Sequence, residues 1–107
     1  MNNLLLIYVT NPSKEHARTI AKYLLEKDVI ACATIKEVDS LFWWEDALQE
    51  ETEYVLVMKT ISSLWPIVEK EITKMHEYET PCIIKMPVRA NKDYEQWVND
   101  EVIQGAD

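Results

Sequence analysis

Two β-forming runs, Ile30 to Ile35 and Tyr54 to Met58, are joined by Lys36 to Glu53, a stretch with neither glycine nor proline. Residues 31 to 60 therefore read as one long hairpin. The expected turn is Asp46-Ala47-Leu48, because Asp is among the few residues other than Gly that accept a positive φ. Each arm has about 14 residues and spans roughly 45 Å when fully extended. A compact chain of 107 residues has a radius of gyration of about 13 Å. The hairpin must bend sharply or project from the body. Its far end carries Leu41, Phe42, Trp43, Trp44 and Leu48. A projecting arm with exposed aromatics aggregates unless another subunit covers it, so an oligomer is expected.

The rest of the chain supplies the body. Leu4 to Val9 is a continuous apolar run of strand length, as in a central strand. Asn11-Pro12-Ser13 stops it and opens a helix, with Pro at the first helical position and Asn or Ser as the cap. Ala17, Ile20, Ala21, Leu24 and Leu25 recur at helical spacing and give one apolar stripe. Ser62-Ser63 offers a cap for a second helix with Pro66 in its first turn and Leu64, Val68, Ile72 and Met75 buried. Pro81 opens a strand from Cys82 to Val88. Asn91 caps a short last helix with Tyr94, Trp97, Val98 and Val102 inward. The order is strand, helix, strand, strand, helix, strand and a final helix. That is an α+β arrangement of the ferredoxin-like βαββαβ kind, with residues 1–107 as one domain.

Composition removes several function classes. A net charge of −8 opposes binding to nucleic acid or an anionic membrane, since phosphate demands Lys and Arg. The start of the chain lacks a basic region and cleavage site, and no apolar run is long enough to cross a bilayer, so the cytoplasm is the expected compartment. Cys32 and Cys82 are expected to be reduced and unpaired. The single glycine, Gly105, excludes every glycine-rich phosphate loop, so no nucleotide is expected. With only His16 and His76, a three-histidine zinc site within one chain is impossible.

Chemistry concentrates in two places. His76-Glu77-Tyr78-Glu79-Thr80-Pro81-Cys82 holds an imidazole, two carboxylates, a phenol and a thiol where a helix gives way to a strand. Ser40-Leu41-Phe42-Trp43-Trp44-Glu45 sets three consecutive aromatics beside an acid. The two stretches are expected to meet and line one cleft between subunits, with Trp44, Glu53, Lys59, Tyr78 and Glu79 as ligand-binding residues. His76 either binds a metal with Cys82 or a carboxylate nearby, or caps a helix C-terminus. Cys32 is either a small core residue or a third ligand. Lys59 either pairs with Glu53 or Glu79 or meets an anionic ligand. Sulfur and imidazole together suit copper.

The chain resembles the CutA family of divalent-cation tolerance proteins over roughly residues 4 to 97. The matching features are Tyr8-Val9-Thr10, Ala17…Ile20-Ala21…Leu24, Ala31-Cys32 before a β run, and Ser40…Phe42…Trp44. Further on come Glu53 before an apolar strand, Lys59-Thr60, the His76 segment with Pro81, and Tyr94…Trp97. The resemblance implies a homotrimer similar in architecture to PII signalling proteins, with long hairpins pairing between subunits and an association with copper and other divalent cations. Departures stand at Glu77, where the family has Pro, at Cys82, where it has Glu, at Phe42, where it has Tyr, and at Asp46-Ala47, where it has Gly-Lys. Three functions follow, in this order. The first is a trimeric metal-tolerance protein that binds copper or another divalent cation weakly. The second is a PII-like signalling trimer holding a small anionic metabolite. The third is an enzyme with His76 as acid–base group helped by Lys59 and Glu79. No catalytic residue is assigned.

Overall fold

The computed structural model describes residues 3–103. Its elements are β1 (Leu4–Asn11), α1 (Lys14–Glu26), β2 (Cys32–Trp44), β3 (Ala47–Ile61), a 3-10 turn (Ser62–Leu64), α2 (Trp65–Met75), β4 (Ile83–Val88) and α3 (Lys92–Glu101). The four strands form one sheet in the order β2-β3-β1-β4, with every neighbouring pair antiparallel.

Strand alternation divides the side chains between two faces. On one face Ile7 and Val9 of β1 and Leu56 and Met58 of β3 pack with Ala17, Ile20 and Leu24 of α1 and Val68 and Ile72 of α2 in one buried cluster. Thr60, on the same face, is buried and donates its hydroxyl to the Val29 carbonyl at 2.6 Å. The other face is covered at one end by α3, where Tyr94 meets Cys32 and Lys59. Beyond α3 that face presents Leu6, Tyr8, Val57, Ile84 and Met86, all half-buried or exposed. Among the described residues this apolar stripe has no second layer over it.

The hairpin is as long as expected. β2 and β3 pair from Cys32↔Lys59 to Trp44↔Ala47. The molecule measures 45 × 27 × 22 Å with a radius of gyration of 14.5 Å, above the value of about 13 Å for a compact chain of this length. At its tip Leu41, Trp43, Trp44 and Leu48 are exposed, Trp43 at 73 %.

Several local expectations are corrected. The turn is Glu45-Asp46, one residue earlier than expected, with φ of 50° and 63°. A type I′ hairpin loop has a positive φ at both central positions, which matches the strand twist, and here a Glu and an Asp accept it. β1 runs on to Asn11, and α1 starts at Lys14. Ser13 is the cap, accepting from the His16 N–H at 3.0 Å, so Pro12 lies outside the helix. α2 is preceded by the 3-10 turn and has Leu64, not a serine, at its cap position, with no side-chain bond there. β4 begins at Ile83, one residue after Cys82. Trp97, expected inward, is an exposed hydrophobic residue.

Candidate functional site

β1 and α2 end at the same edge of the molecule, and the chain from His76 to Cys82 crosses between α2 and β4. The hairpin arms rise beside it. Together they enclose a cleft of about 740 Å³. Its lining comes from Thr10 of β1, Asp39, Ser40, Leu41, Phe42 and Trp44 of β2, Glu51 and Glu53 of β3, and Glu77 to Thr80 with Cys82 of the crossing segment. The two chemistry-bearing stretches of the sequence share this cavity. Five acidic residues, Asp39, Glu51, Glu53, Glu77 and Glu79, are among the lining residues, and no lysine or arginine is.

The floor is fixed by hydrogen bonds. Glu53 is buried in β3 and accepts from the Tyr78 hydroxyl at 2.6 Å. Burial first, then the bond to the Glu53 carboxylate, raise the Tyr78 phenol well above its ordinary value. Tyr78 therefore stays protonated and donating. Burial, and next the charge of Glu53, also raise the Cys82 thiol. A thiol kept from ionising is a poor metal ligand and a poor nucleophile.

His76 lies behind the cleft. Its Nε2 is 2.8 Å from the Thr10 carbonyl, which only accepts, so Nε2 carries the proton. Its Nδ1 accepts from the Tyr78 N–H at 3.1 Å. Both ring nitrogens are spent, as in a neutral imidazole. Burial, the largest influence, lowers its pKa from the ordinary histidine value, against the Thr10 carbonyl, which raises it. The ring ties the end of β1 to the crossing segment and has no lone pair left for a metal.

The expected residues thus divide into two groups. Trp44, Glu53, Tyr78, Glu79 and Cys82 come together at the cleft. Lys59 does not: it pairs in register with Cys32, and its Nζ stands 5.4 Å from the centre of the Tyr94 ring. There the Tyr94 hydroxyl, more than any other group, keeps the amine protonated. Lys59 is about six residues, or roughly 20 Å, along β3 from Glu53. Cys32 sits 3.5 Å from the Tyr94 hydroxyl, remote from Cys82. His76, Cys32 and Cys82 therefore form no common ligand set within the chain. Among the described residues no three His, Cys, Asp or Glu side chains gather into a set able to hold a metal ion. An anionic metabolite finds no counter-charge in this cleft, and acid–base chemistry at His76 with Lys59 and Glu79 lacks both a free nitrogen and a nearby lysine.

Sequence reasoning missed Asn11 and His16. Asn11 is fully buried and holds His16 by a 3.0 Å contact between Oδ1 and Nδ1. The His16 and His76 rings stack edge to face at 4.7 Å. The available signal was the position of His16, four residues before Ile20 and beside Ala17 on the buried stripe of α1.

Comparison with known proteins places this geometry. Residues 5–101 match the model of the CutA1 divalent ion tolerance protein family. The divalent-cation tolerance protein CutA of Archaeoglobus fulgidus is 42% identical over 97 residues, covering 90% of this chain and 95% of that protein. A solved structure described as the periplasmic CutA of the same organism superposes with a TM-score of 0.90 at 40% identity, covering 94% of this chain and 99% of that one. The structure of CutA1 from Oryza sativa gives a TM-score of 0.92 at 28% identity, with 97% of each chain covered. Relatives are thus described as periplasmic and, in a rice protein, as chloroplastic. Among the described residues no helix is long and apolar enough to cross a membrane. In sequence, in strand order and in overall superposition, the chain belongs to the CutA1 family of divalent ion tolerance proteins.

Proposed function

We propose that this protein is a ferredoxin-like, PII-like homotrimer that binds divalent cations weakly and serves the response to metal ions. The observation that carries the binding is the charge of the cleft. Five acidic residues line one cavity with aromatic walls and no lysine or arginine. One sign of charge in a low-dielectric recess raises the local concentration of the opposite ion. Oxygen ligands of this kind suit divalent cations, and the dispersed donors favour weak over tight binding. Copper, first expected on sulfur and imidazole grounds, keeps only the general support of its place at the peak of the divalent series. His76 is fully engaged and Cys82 is held as a thiol.

The trimer is supported by the uncovered apolar stripe on the sheet and by the exposed hairpin tip. Copies packed on those surfaces would remove them from water, and the cleft, open beside the hairpin, would lie between subunits. The cytoplasm remains the proposed compartment, supported by two free cysteines. Calorimetric titration of chelator-treated protein with Mn2+ and Cu2+ tests the binding. Micromolar or weaker affinity is expected, reduced by Glu51→Gln and Glu79→Gln together and unchanged by Glu26→Gln on α1. Picomolar affinity, or indifference to the cleft substitutions, would overturn it.

A further inference from the structure

The His16 imidazole is a buried side chain whose second nitrogen the fold leaves without a donor. Asn11 fixes this. Its Nδ2 donates to the Val9 carbonyl at 3.2 Å and the Tyr54 carbonyl at 3.0 Å, so its amide has one orientation. The Asn11 Oδ1 then faces His16 Nδ1 at 3.0 Å, and an oxygen acceptor there places the ring proton on Nδ1. In the neutral ring the lone pair of Nε2 is then left free. That atom is buried and has no hydrogen-bond partner among the described residues. It faces Glu77 Oε2 at 3.8 Å, with the His16 side chain 8 % exposed and that of Glu77 71 % exposed.

Two acceptors facing each other across a short gap repel unless a proton or a metal ion stands between them. We infer that His16 Nε2 and the Glu77 carboxylate form a half-site for a borderline divalent cation of the zinc type, entered from the cleft and completed by water. The separation fits. Metal bonds of about 2.1 Å to nitrogen and oxygen let one ion span at most about 4.2 Å. The support behind His16 also fits, since a metal-binding imidazole ordinarily donates its other N–H to a carbonyl-type oxygen that fixes the ring. Glu77 is exposed enough to swing aside for entry. Imidazole nitrogen selects for zinc, copper or nickel over magnesium and calcium, which prefer all-oxygen sets. The site shares Glu77 with the acidic cleft but does not rest on the reading of that cleft.

The test is nitrogen NMR of the two histidine rings in chelator-washed protein at mildly alkaline pH, with Zn2+ alone as the probe. The expected result is a Zn2+-dependent shift of His16 Nε2 while the His76 nitrogens stay put. Calorimetry should show Zn2+ binding at least about tenfold weaker in His16→Asn, whose amide keeps the donor to Asn11, and weaker in Glu77→Gln. Because the NMR uses the unaltered chain, it decides even where a variant folds poorly. A His16 Nε2 that moves with acid but never with Zn2+ shows that only a proton fills the gap and overturns the inference. So does Zn2+ binding that His16→Asn leaves unchanged. If Glu79→Gln weakens cation binding while His16 stays silent to Zn2+, the cleft reading stands and this one fails.

Discussion

His76 shows how a residue chosen for its chemistry turns out to hold the fold. Its type and its place at the end of a helix suggested either a ligand or a cap, and in the fold both of its ring nitrogens are engaged in hydrogen bonds. One nitrogen donates to β1 and the other accepts from the crossing segment. Removing the ring leaves the Thr10 carbonyl and the Tyr78 N–H without partners in a partly buried place. His76→Ala is therefore expected to cost about 1–3 kcal/mol of stability, read from urea unfolding midpoints at constant slope, and to disorder the floor of the cleft. A midpoint unchanged from the parent would refute the bracing role. His16 is the opposite case. It was passed over in the sequence, because its setting depends on Asn11, which lies on another element and makes two backbone bonds of its own.

At the scale of elements, the strands and helices were legible because their patterns are strong. The apolar run of β1, the 3.6-residue stripe of α1 and the glycine-free hairpin each have one physical solution. The junctions were less legible, since each is set by tertiary hydrogen bonds. α1 ends with Asp28 at φ 58°, its N–H bonded to the Leu25 carbonyl and that of Val29 to the Leu24 carbonyl. This is the double-bonded helix ending usually given to glycine. Asp28→Gly should raise stability by about 0.5–1 kcal/mol, the left-handed strain relieved less the added chain entropy; thermal unfolding that shows a loss would contradict this. α3 is anchored by Glu95, whose carboxylate accepts from Arg89 and from the Ala90 N–H. The Arg89 bond above all lowers the Glu95 pKa from its ordinary value of 4.5. A depressed carboxylate stabilises the fold above its unfolded pKa and loses that contribution as pH falls below it. Glu95→Gln should therefore be less stable than the parent near neutrality, and the difference should shrink as the pH falls below about 4.5. Parallel stability curves for the two proteins would exclude this role. The cleft was legible as two stretches sharing one cavity. The exclusion of Lys59 was not, because it follows from register: Lys59 lies opposite Cys32, far down the hairpin from the acids.

For the whole molecule, the length of the hairpin is the dominant geometric fact. The hairpin is too long for the body, and its tip and the uncovered half of the sheet both present apolar side chains. A single chain leaves these in water, whereas copies of it can bury them together. The same hairpin raises one wall of an acidic cleft. The proposed assembly and the proposed cation binding are therefore linked through one element, and shortening it between Leu41 and Leu48 should produce aggregation together with loss of cation binding. Native mass spectrometry of protein purified without chelator reads both properties at once. The expected result is a species of three chains that persists after chelator treatment and takes up divalent ions only as their concentration is raised. A stable monomer at micromolar concentration, or a trimer that carries tightly bound metal and falls apart without it, would contradict it.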